Sequence, residues 1–147
     1  MSEDEFLYLF MDIRRVGAKL SLERDQDLKS LDLTSGQSTS LLFIESHPGC
    51  PITELSEHLE TTHQATRTLV ERMKAKGLLE IAVSERDARA KSINLTDKGR
   101  ELCVKLRRLG GDRASRALKD LTLAERDELR RILNKINSNL QSNKGKS

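Results

Sequence analysis

Residues 51–99, PITELSEHLETTHQATRTLVERMKAKGLLEIAVSERDARAKSINLTDKG, change their hydrophobic period once, and that change decides the fold. In the first half, apolar residues recur at helical spacing. Leu55 and Leu59 lie four apart on a short helix; Ala65, Leu69 and Met73 form one stripe on a longer helix. Thr53 is placed to cap the first helix and Thr62 the second, with a turn at residues 60–61 between them. The second helix runs to about Lys76, and Gly77 suits the left-handed residue that ends a helix. Beyond it the spacing drops to two. Leu79, Ile81 and Val83 alternate, as do Ile93 and Leu95, and the stretch SERDARAKS between them is almost wholly polar. This predicts a two-stranded hairpin with a long charged tip.

A short helix, a tight turn, a longer helix and a two-stranded wing form a design suited to duplex DNA. At helical pitch, the Ala65–Leu69–Met73 stripe docks on the short helix. His63, Gln64, Arg67, Glu71 and Lys74 then fall on the opposite side, with Thr66 and Val70 at the edge. Gln64, Thr66 and Arg67 have the chemistry of base-edge contacts: Gln pairs with adenine, Arg with guanine, and a Thr methyl touches thymine. On the hairpin, Arg86, Arg89 and Lys91 supply cations, and Asp87 is spaced to hold the Arg89 guanidinium. An arginine on such a tip can enter a narrow minor groove. Each of these features also fits a merely solvated surface; together they favour DNA.

Charge supports the same division. Residues 1–60 hold 5 Lys/Arg against 12 Asp/Glu, residues 61–116 hold 14 against 7, and residues 117–147 hold 7 against 4. The net charge of +3 conceals a basic middle on an acidic front. The length of 147 residues predicts one domain over 1–147.

The flanks read as helices. Ser2 with Glu5 and Thr34 with Gln37 fit capping boxes. Phe6, Phe10, Ile13, Leu20, Leu28 and Leu31 stripe the first helix, and Leu41, Leu42 and Ile44 the second. SHPGCP, residues 46–51, is a turn. After the wing, Thr96 caps a helix carrying Leu102, Leu106 and Leu109, with a bend at Gly110 and Gly111. Thr122 with Glu125 starts a last helix striped by Leu129, Ile132, Leu133, Ile136 and Leu140. Residues 142–147 read as a flexible tail. The outer stripes exceed what one small core would fill. They either join a second copy or pack on one enlarged core.

At this point the segment SERDARAKSINLTDKG, with KGLL before it, resembles the wing of the MarR (multiple antibiotic resistance regulator) family: Asp-x-Arg, a short strand, Leu-Thr, and a glycine opening the next helix. The resemblance implies a fold that is mainly α with a small β-hairpin. A winged helix-turn-helix at 34–99 would be flanked by dimerisation helices at 1–33 and 100–141. It implies Arg89 as the minor-groove arginine with Asp87 as its partner. It implies Thr62, Gln64, Thr66, Arg67 and Thr68 as contacts to the major groove or its phosphates. Many members carry Ser/Thr then Arg where this chain has Arg67 then Thr68, which turns the guanidinium by about 100°. It also implies a homodimer that represses transcription from a pseudo-palindromic operator until a small ligand binds. The other reading is a winged-helix module whose main partner is a protein.

Other chemistry finds little support. The longest apolar run, residues 6–11, is too short to span a bilayer, and the acidic start is no secretory signal, so a cytoplasmic protein is expected. His47, His58 and His63 form no metal-ligand spacing, and Cys50 and Cys103 form no CxxC pair, so neither metal nor cofactor is expected. No nucleophile elbow, phosphate loop or carboxylate pair points to an enzyme. Arg14, Arg15 and Lys19 beside Phe10, Ile13 and Val16 suit a small aromatic anion as effector, or else a solvated helix face.

Overall fold

The computed structural model describes residues 2–83 and 91–144. Six helices and one hairpin follow in the order α1 (Glu3–Ser30), α2 (Ser35–Ser46), α3 (Ile52–Leu59), α4 (His63–Ala75), β1 (Leu79–Val83), β2 (Lys91–Leu95), α5 (Asp97–Leu118) and α6 (Leu123–Lys144). The fold is mainly helical with a two-stranded antiparallel wing, as the sequence predicts.

The helix starts follow from their caps. At α1 the Ser2 hydroxyl accepts the Glu5 N–H and the Glu5 carboxylate accepts the Ser2 N–H, and Thr34 with Gln37 repeats the exchange at α2. Thr62 accepts the Ala65 N–H at α4. The Gly99 N–H donates to Thr96 Oγ1 at α5. Thr122 and Glu125 exchange hydrogen bonds at α6. Thr53 is not a cap. Helix α3 begins one residue after Pro51, which has no side chain able to accept, and Thr53 lies inside the first turn.

The hairpin pairs Leu79 with Leu95, Ile81 with Ile93 and Val83 with Lys91. The turn before α3 extends this sheet, since Gly49 N–H donates to Ile93 O and Ile93 N–H to Cys50 O, both at 3.0 Å. Leu41 and Ile44 of α2, Leu55 of α3, Val70 and Met73 of α4, Leu78, and Ile93 of β2 are fully buried together. Each contributes about 1.5–3 kcal/mol by leaving water. Helix α1 joins this core only at its end, through Leu28 and the partly buried Leu31. From Phe6 to Leu22 its large apolar side chains are exposed.

The chain divides into two compact units, Met1–Gly110 and Gly111–Ser147. Gly110 and Gly111, read as a bend, lie inside helix α5, and the two units meet between them. The second unit holds the end of α5 and all of α6, along which Leu129, Ile132, Leu133 and Leu140 are exposed. Helix α6 continues to Lys144, so residues 142–144 of the expected tail are helical, as their helix-compatible residues allow.

Candidate nucleic-acid interface

Helix α3 ends in Glu60, whose left-handed backbone (φ 53°, ψ 43°) reverses the chain within two residues. The N–H groups of Glu60 and Thr61 donate back to Glu57 O and Ser56 O, both at 3.2 Å. Thr62 then opens α4. Thr66, Val70 and Met73 are the residues of α4 that enter the core. Ala65 is exposed and Leu69 half-buried against the core, so the docking face turns from Ala65 and Leu69 toward Thr66 and Val70, with Met73 common to both. The cause is Thr66. Its hydroxyl donates to Thr62 O at 2.9 Å, which satisfies the polar atom and lets the side chain pack inside. Thr66 is 0% exposed and is therefore removed from the DNA-facing set.

The outward face shifts accordingly. Gln64, Arg67, Thr68, Glu71, Arg72 and Ala75 line one shallow trough of about 430 Å³ along α4. Gln64, Arg67 and Thr68 are thus brought together as expected. Thr68 remains exposed although its hydroxyl donates to Gln64 O at 3.1 Å. The Thr62 hydroxyl is occupied by the helix cap. The Ala65–Leu69–Met73 stripe does not point to Arg72; a helix phased on Thr66 places it on the outward face.

A second cavity, of about 590 Å³, joins His63, Arg67 and Glu71 of α4 to Ile81 and Lys91 of the hairpin. The hairpin therefore opens on the same side as α4, and three basic residues, one of them a histidine, line one recess. Arg86, Asp87 and Arg89 lie outside the described residues.

Two of the three histidines have ring partners. His47 and His58 stack on Phe43, with ring centroids 4.2 and 4.3 Å away. Among the described residues, no three His, Cys, Asp or Glu side chains group as a metal would require. Burial pushes both thiols above the ordinary cysteine value, and at Cys50 the nearby Glu54 carboxylate adds to the effect. On α1, Arg15 pairs with Asp12 at 2.5 Å and Arg14 stands 6.0 Å from the Phe10 ring. Among the described residues, no helix is long and apolar enough to cross a membrane.

Comparison with known proteins agrees with this geometry. A family model described as MarR family matches residues 31–90. The HTH-type transcriptional repressor Rv2887 of Mycobacterium tuberculosis is 30% identical over 124 residues, 84% of this chain and 89% of its own length. A mutant of MarR from E. coli, solved in complex with operator DNA, is 27% identical, with a TM-score of 0.76 over 90% of this chain and 96% of that one. A MarR family protein from Bacillus stearothermophilus shares the fold at 21% identity, with a TM-score of 0.82 over 96% of this chain and 99% of that one.

Proposed function

Because the chain belongs to the MarR family, whose members are DNA-binding transcription regulators and not enzymes, we propose that it is a repressor acting as a homodimer on a pseudo-palindromic operator. The observation that carries this reading is the exposed face of α4. Gln64, Arg67 and Thr68 stand in one trough, beside a recess that adds His63 and Lys91. Such a helix fits the major groove, where Gln and Arg distinguish adenine and guanine by paired hydrogen bonds. Arg67 and Lys91 in that recess suit the flanking phosphates, and Arg86 and Arg89, with Asp87 beside them, extend the charge by sequence.

The homodimer rests on apolar surface. Phe6, Phe10, Ile13, Val16 and Leu20 on α1, and Leu129, Ile132, Leu133 and Leu140 on α6, are exposed in the single chain. Such extensive apolar surface supports an interface between copies. Two copies place two recognition helices on half-sites about 34–36 Å apart. A small-molecule effector, aromatic or anionic, would act by favouring one spacing of those helices over another. The working compartment is then the cytoplasm, where the DNA is.

The test is selection of bound sequences from random duplexes, followed by titration of the winner against salt. Phosphate contacts from two protomers predict a steep log–log slope, near −0.9 for each phosphate neutralised. A flat salt response, or no enriched sequence, would support the protein-interaction module in its place.

A further inference from the structure

Lys76, which closes α4, sits where the ends of four helices meet. Its ammonium donates to the backbone oxygen of Asp32, in the elbow after α1, and to Gln37 Oε1 in the first turn of α2 at 3.2 Å. The Asp32 carboxylate stands 3.6 Å away. Gln37 is buried, and its Oε1 also accepts the Thr34 N–H at 3.2 Å, so one atom ties the start of α2 to the end of α4. From the other side, Lys98 in the first turn of α5 donates Nζ to Lys76 O at 2.9 Å. Thr96 Oγ1 donates to Gly77 O at 2.6 Å. The carbonyls of the two residues that follow α4, at the negative end of its dipole, are thereby held by the start of α5.

A lysine at the end of a DNA-reading helix invites assignment to a phosphate. The geometry points to another role. The Lys76 side chain is 31% exposed, and its ammonium is directed into the protein, toward Asp32 O and Gln37 Oε1. It also lies at the far end of a 13-residue helix from Gln64, about 20 Å along the axis. The ion pair adds little of its own, because the Asp32 carboxylate is almost fully exposed. What the contact supplies is a fixed angle.

We propose that Lys76 is a positioning residue for DNA binding: it locks the recognition helix to the ends of α1 and α2, and so sets the spacing of the two recognition helices across a dimer. This rests on the reading of the chain as a dimeric DNA-binding protein. Helix α1 carries the exposed apolar surface assigned to the second copy, so the Asp32 elbow joins the helix that bears that surface to the DNA-reading part. Without the ammonium, Asp32 O loses its donor and the end of α4 is released from α1. Each recognition helix can then still enter a groove, but the pair is no longer held at one separation.

The experiment compares two duplexes: the full selected site and a version in which one half-site is scrambled. Lys76→Met keeps the alkyl stem and removes the charge. It is expected to weaken binding to the full site about tenfold, because two linked contacts gain from each other only when their geometry matches. Binding to the single half-site should change less than twofold, and the salt slope should stay the same. Equal losses on both duplexes, with the slope reduced by about two for a dimer, would make Lys76 a phosphate contact and overturn the inference. Unchanged binding to both would overturn it as well. If Lys76→Met fails to fold, the exposed Lys98→Met removes the tie to the Lys76 carbonyl, and the same difference between duplexes is expected; an equal loss on both, or no loss on either, then rejects the idea. If the unsubstituted chain enriches no duplex, the functional reading fails first and this inference fails with it.

Discussion

The backbone oxygen of Leu78 occupies the space into which a Cβ on Gly99 would project, and the Leu95 Cβ lies 3.4 Å from that position. The first turn of α5 therefore rests directly on the turn between α4 and β1, where Thr96 N–H also donates to Leu78 O at 3.0 Å. In an ordinary helix, Gly→Ala gains about 1 kcal/mol. Here Gly99→Ala should instead cost about 1–3 kcal/mol, because backbone must move to admit the methyl group. That lowers the melting temperature by roughly 3–10 °C, measurable by circular dichroism. A variant melting at or above the unsubstituted protein would remove the close approach.

Gln64→Ala tests the trough on α4. Gln64 is exposed in the first turn, where a helix in the major groove meets base edges. The substitution should cost about 1–3 kcal/mol on the selected site and relax preference at one base position per half-site. Equal weakening on every duplex would show that Gln64 reads no base.

Much of this was legible because caps and alternation are local. The exchanges between Ser2 and Glu5, Thr34 and Gln37, and Thr122 and Glu125 are written in residues three apart, and the two strands of the hairpin in alternating Leu, Ile and Val. The phase of α4 was not legible from apolar residues alone. Thr66 enters the core only because Thr62 O takes its hydroxyl, whereas Ala65, counted as apolar, faces water. The role of Lys76 was hidden for another reason: its acceptors are a backbone oxygen and a side chain 39 positions away.

The thiols give a pH signature. Both Cys50 and Cys103 are buried, and burial raises their pKa values in the folded chain. The folded state therefore keeps protons that the unfolded chain releases near pH ~8.5. Their stabilising effect is complete below that pH and is lost as pH rises toward the folded values. Denaturant melts should give nearly constant stability from these groups at neutral pH and a decline above about pH 9. A Cys50→Ala/Cys103→Ala variant should decline less. Identical alkaline profiles would contradict the assignment.

Leu133→Asp addresses the apolar stripe of α6. Leu133 is 49% exposed in the single chain, so a carboxylate there disturbs little within α6 itself. Facing a second copy, it would be buried without a partner, at a cost of several kcal/mol. Sedimentation should give a monomer with helical content retained. A stable dimer would place the contact between copies elsewhere.

Asp32 and Glu60 hold left-handed backbone, at φ 55° and 53°, without being glycine. Each such residue carries about 1 kcal/mol of avoidable strain. Glu60→Asn, and Asp32→Gly with its accepting carbonyl kept, would relieve it at two elbows that lie outside the α4 trough. The chain thus has unused mutational headroom. Rewriting the outward residues of α4 toward a new operator tends to erode stability, and relaxing these two elbows beforehand would let an engineered descendant absorb that loss and still fold.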